Sequence, residues 1–103
     1  MKNSTVVLEI FDFLKQQKLV EAENQFSEHW LGQSEAYLRR LRFTNKEPTD
    51  GVIAIIGSRL QIMGERLVNT QHSHVGQRFL ELSKKCHTLV NQKLTDDLMN
   101  KFD

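Results

Sequence analysis

Residues 31–60 read LGQSEAYLRRLRFTNKEPTDGVIAIIGSRL, and this stretch decides the fold. Leu31-Gly32 predicts the end of one helix, because glycine takes the left-handed backbone that closes helices without a Cβ clash. Ser34 predicts the N-cap of a short helix from Glu35 to about Phe43, with Leu38 and Leu41 turned toward a core. The polar run Thr44-Asn45-Lys46-Glu47-Pro48 interrupts the pattern, and Thr49 then caps a longer helix from Asp50 to about Val68. On that helix Ile53, Ile56, Leu60, Met63 and Leu67 follow spacings of 3, 4, 3 and 4, a heptad seam. Gly57 and Gly64 beside the seam allow another helix to approach closely.

Working outward, the N-terminal side carries Val7, Ile10, Phe11 and Leu14 at i, i+3, i+4 and i+7, widened by Val6 and Phe13. A first helix therefore starts near the capping residues Asn3 and Ser4 and closes at Gln16-Gln17-Lys18. A second runs from about Val20, with Leu19, Ala22, Phe26 and Trp30 on one side. Beyond Asn69–Ser73 a fifth helix bears Val75, Phe79, Leu82, Cys86 and Leu89. Thr95-Asp96-Asp97 reads as a fresh cap, opening a short last helix with Leu98, Met99 and Phe102. The sequence thus predicts an all-α chain of five or six helices in a single domain, 1–103. Trp30, Leu31, Leu38, Leu41, Ile53 and Ile56 are expected in its core.

Composition narrows the function classes. Of 103 residues 39% are apolar and 26% charged, with a formal charge of +1, so neither a polyacidic tail nor a general polycation is present. A single cysteine excludes a disulfide framework and any multi-cysteine zinc site. No apolar run approaches the length of a bilayer span, and no signal peptide is evident, so no membrane association and a cytoplasmic location are expected. His72-x-His74 lacks a third ligand. Cys86 and His87 point about 100° apart on a helix and cannot serve each other as nucleophile and base. With no phosphate loop or paired carboxylates, the reading is of a protein that is not an enzyme, with no catalytic residue, metal or cofactor.

Charge is unevenly distributed. Residues 1–31 hold three basic and five acidic groups, while Ala36 to Lys46 holds Arg39, Arg40, Arg42 and Lys46 and no acid. A local positive strip in a near-neutral chain is the electrostatic footprint of an anionic partner.

The 31–60 stretch resembles the middle of a phage-repressor-like helix-turn-helix domain, the lambda-repressor-like or XRE type. The shared parts are Leu31-Gly32, Gln33-Ser34, the short helix, the polar basic loop, Pro48-Thr49 and the apolar helix from Val52 to Leu60. That family has a small residue in the helix before the turn, where Phe26 and Ser27 fall. Around Trp30-Leu31-Gly32 the chain also resembles an uncharacterised family of short bacterial proteins. The resemblance implies a helix-turn-helix core at about 5–68, followed by C-terminal helices at about 74–102. It also implies a small transcriptional regulator that binds double-stranded DNA, with Gln33, Ser34, Glu35, Ala36, Arg39 and Arg40 facing the duplex and Lys46 a phosphate. A symmetric reader of two half-sites would be a homodimer, here through helices 50–68 and 74–92. The alternative is a helical protein-interaction module that keeps the scaffold without binding DNA.

Overall fold

The computed structural model describes residues 2–102 and contains, among them, five α-helices and no strand. They are α1 (Asn3–Gln16), α2 (Glu23–His29), α3 (Tyr37–Thr44), α4 (Asp50–Leu67) and α5 (Ser73–Phe102). The chain divides into two compact units, one ending at Ile56 and the other beginning at Gly57, so the division falls inside α4. The sequence reading expected a single domain, with a core at about 5–68 followed by C-terminal helices at about 74–102. None of the helices is long and apolar enough to cross a membrane.

In the first unit α1 buries the stripe that its spacing called for: Val6, Val7, Ile10, Phe11, Phe13 and Leu14. Its N-terminus is held from a distance. Asn3 does not cap α1. Its buried amide donates to the Pro48 carbonyl at 2.8 Å and to Asp50 Oδ1 at 2.9 Å. Glu47 supplies the missing acid, accepting from the Ser4 hydroxyl (2.9 Å) and the Ser4 N–H (3.3 Å). A carboxylate there satisfies an orphan donor and meets the positive end of the helix. α1 closes with Lys18 in the left-handed region (φ 61°), which returns the Leu19 N–H to the Leu14 carbonyl at 2.9 Å.

That closure displaces the start of α2. Residues 17–22 are irregular, and α2 begins at Glu23 rather than near Val20. Gln25 folds back to accept from the Glu21 N–H at 2.9 Å. Val20 is buried, while Leu19 and Ala22, expected on the inner side of a helix, are exposed. Phe26 is fully buried, its ring 5.2 Å from that of Phe11. Trp30, expected in the core, is only half-buried, as is Leu41; Leu31, Leu38, Ile53 and Ile56 are buried. The Thr49 cap holds as expected, its hydroxyl oxygen accepting from the Val52 N–H at 3.3 Å.

In the second unit the glycines seat α5. A Cβ on Gly57 would stand 2.8 Å from that of Cys86, and one on Gly64 would stand 2.8 Å from the Leu80 side chain. The buried Ser83 hydroxyl donates to the Gly57 carbonyl at 2.6 Å. α5 then runs unbroken to Phe102, so the fresh start expected at Thr95 does not occur. Thr95 instead donates its hydroxyl to the Asn91 carbonyl one turn back, at 2.9 Å. Without proline or glycine to interrupt it, a threonine bonded in this way stays inside the helix.

Candidate nucleic-acid interface

Residues 23–46 carry the strip of positive charge. α2 ends at His29, and Gly32 takes a left-handed backbone (φ 67°) that only glycine adopts without strain, as its position predicted. The Gln33 N–H returns to the Ser27 carbonyl at 2.9 Å. Ser27 is fully buried, and its hydroxyl has no hydrogen-bond partner among the described residues. A small side chain is therefore required there, but a polar one is not. Ser27→Ala is expected to raise stability by roughly 1 kcal/mol in urea unfolding, since an unsatisfied buried hydroxyl carries a desolvation penalty.

α3 is shorter than its sequence suggested. It begins at Tyr37, and Ser34, Glu35 and Ala36 lie in the turn ahead of it. Ser34 does not cap it with its side chain; its carbonyl accepts from the Tyr37 N–H at 3.1 Å, and its hydroxyl oxygen accepts from Arg40 at 2.8 Å. Tyr37 is half-buried, and burial raises its phenol above the ordinary range. The helix ends at Asn45, left-handed at φ 54°, with the Lys46 N–H bonded to the Leu41 carbonyl at 2.9 Å.

Among the residues expected to face DNA, Ser34, Glu35, Arg39, Arg40 and Lys46 are exposed, while Gln33 and Ala36 are half-buried. Leu38 is buried. Ala36, Arg39, Arg40 and Phe43, at i, i+3, i+4 and i+7, share the opposite face. Phe43 is 91% exposed, an aromatic ring in water on the same helix face as Arg39 and Arg40. The sequence reading used it only to mark the end of the helix, although its spacing from Arg39 and Arg40 was the available signal.

Arg42 leaves the strip. It makes a two-pronged pair with Glu23, with one contact at 2.8 Å from Nη2 to Oε2 and the other from Nη1 to Oε1. The Arg42 hydrogen bond holds the Glu23 carboxyl below its ordinary range against partial burial, and the charges of Arg42 and Arg39 add to the effect. Glu23 in turn raises Arg42. Arg39 lines a cleft with Glu23, Asn24 and Glu35. The exposed cations left to meet an anion are Arg39, Arg40 and Lys46, with Glu35 opposing them.

A second feature lies behind α3. Val7, Leu8, Leu38, Leu41 and Pro48 line a mostly apolar groove of about 250 Å³ edged by Lys46. Elsewhere, no group of three or more His, Cys, Asp or Glu among the described residues is placed to hold a metal. His72 and His74 are exposed at the turn into α5, and Cys86 is buried.

The model of a family described as "Family of unknown function (DUF6626)" matches residues 7–99. No curated protein and no solved structure matches the chain.

Proposed function

The chain belongs to that family of unknown function, and from its geometry we propose that it is a small, non-enzymatic DNA-binding regulator of transcription acting in the cytoplasm. One observation carries this reading: an α2–Gly32–α3 unit that buries Leu38 and turns Arg39, Arg40 and Phe43 outward. The resemblance of residues 31–60 to repressor-type helix-turn-helix domains supports it. In such a unit the second helix enters the major groove and the first braces it against the backbone. Arg40, oriented by Ser34, then reaches guanine O6 and N7, Phe43 meets a thymine methyl, and Lys46 takes a phosphate. Gln33 and Ser34 sit where the turn approaches the backbone.

The test is a salt titration of variants on random and selected duplexes. Arg40→Ala is expected to weaken the preferred site by about 1–3 kcal/mol and relax preference at one base pair. Lys46→Ala is expected to weaken all sequences alike and make the salt dependence shallower by about one unit of slope. Removing Glu35 strengthens non-specific binding. No duplex affinity at low salt overturns the proposal. The apolar groove of Val7, Leu8, Leu38 and Leu41 favours the second reading, a module that docks a protein segment beside α3.

A further inference from the structure

The seam residues that the sequence offered to a second copy, Ile53, Ile56, Leu60, Phe79, Leu82 and Cys86, are each 0% exposed. The groove behind α3 is a different kind of surface, apolar but recessed and open. Its walls are Val7 and Leu8 of α1, Leu38 and Leu41 of α3, and Pro48 of the linker. Val7, Leu38 and Pro48 are buried, Leu41 is half-buried and Leu8 is 48% exposed. The linker is pinned in place. The Pro48 carbonyl accepts from Asn3, Glu47 accepts from Ser4, and the Lys46 N–H donates to the Leu41 carbonyl. The recess is therefore preformed, as small-molecule sites usually are.

Charge and size define what fits. Arg42, Lys46 and Glu47 edge the groove. Arg42 is paired with Glu23, and the Glu47 carboxylate is engaged by the Ser4 hydroxyl and N–H at the positive end of α1. Lys46 is exposed and forms no ion pair with the described residues. One open cation beside an apolar recess complements one anionic charge on an apolar body. The volume of about 250 Å³ lies below the range of about 300–1,000 Å³ for drug-sized sites. Its apolar walls come from a single turn of each helix, so it takes one short chain or ring. A docked protein helix instead spreads its anchors over two turns. A phosphate monoester brings nearly two charges at neutral pH, and a carboxylate brings one.

We propose that this groove binds a small apolar monocarboxylate, its hydrocarbon between α1 and α3 and its carboxylate on the Lys46 ammonium. The hydrocarbon covers Leu8 and Leu41, the wall residues that water still reaches. The regulatory consequence rests on the DNA-binding reading above. Lys46 is the residue assigned there to a phosphate, so the ligand and the duplex compete for one ammonium. The monocarboxylate is then an effector that loosens the duplex.

Calorimetric titration of the full chain with sodium octanoate at neutral pH, beside 1-octanol, tests the site without DNA. Octanoate is expected to saturate at one molecule per chain. Lys46→Gln is expected to weaken octanoate roughly threefold, the margin of an exposed ion pair, and to leave octanol unchanged, while Lys46→Arg keeps wild-type affinity. Leu8→Glu is expected to weaken octanoate roughly tenfold, with helix content by circular dichroism unchanged. Absence of saturable octanoate binding overturns the proposal, as does binding indifferent to Leu8→Glu or to Lys46→Gln. Octanol bound in place of octanoate assigns the groove to an uncharged apolar group, such as the anchor of a protein segment, and likewise overturns it. Fluorescence anisotropy on a selected duplex forms the second arm. Saturating octanoate is expected to weaken duplex binding by wild type and not by Lys46→Gln. Duplex binding indifferent to octanoate overturns the effector role. Absence of duplex affinity with octanoate still bound overturns the DNA reading and upholds the site.

Discussion

Phe26→Ala is expected to destabilise the fold by about 3–5 kcal/mol, the range for removing a fully buried aromatic side chain. The ring is 0% exposed and lies tilted against Phe11, so its loss leaves a cavity between α1 and α2 that neither helix can fill alone. The backbone at the same position accepts the Trp30 and Leu31 N–H groups at 3.0 and 3.1 Å, so any shift of α2 disturbs the turn into Gly32. Thermal unfolding provides the measurement, and Trp30→Ala provides the contrast. The half-buried indole is expected to lose less than Phe26. Equal losses would place the core on the wrong aromatic residue.

Gly76→Ala is expected to destabilise by about 1–3 kcal/mol even though alanine is the better helix former. A Cβ there would come within 2.8 Å of the Val68 nitrogen and 3.0 Å of the Leu67 carbonyl carbon. These are backbone atoms at the α4–α5 turn and cannot rotate aside. Gly51 is the control, because its nearest neighbour is the Thr49 hydroxyl oxygen at 3.8 Å. Gly51→Ala is expected to stabilise by up to about 1 kcal/mol. Urea unfolding midpoints separate the two substitutions, and the same sign at both would overturn the account.

These positions also mark what the sequence made legible. α4 was readable almost to the residue because Pro48-Thr49 marks its start and its isoleucines keep a helical spacing. Gly32 was readable because glycine is the residue that most readily takes a left-handed turn. The beginning of α2 was not, since residues 17–22 contain neither proline nor glycine and α1 ends on a lysine in a left-handed conformation. Thr95-Asp96-Asp97 has the composition of a cap, and only the bond from Thr95 to Asn91 shows that the helix passes through it. A count of charge along the chain included Arg42 in the positive strip, because its partner Glu23 lies nineteen residues away. The groove behind α3 combines side chains from α1, α3 and the linker before α4 and has no linear signature.

The contacts of Asn3 and Ser4 with the linker before α4 have a consequence for the order of folding. During synthesis α1 emerges well before Glu47, Pro48 and Asp50, so its first turn initially has only water for its orphan donors. Closing a separation of 45 residues is an entropic step that local helix formation does not supply. α1 can therefore form early as a fraying helix, but it locks only after α3 has left the ribosome and the linker can return to it. The N-terminal turn belongs among the last elements to complete the first unit, although it is among the first to be made.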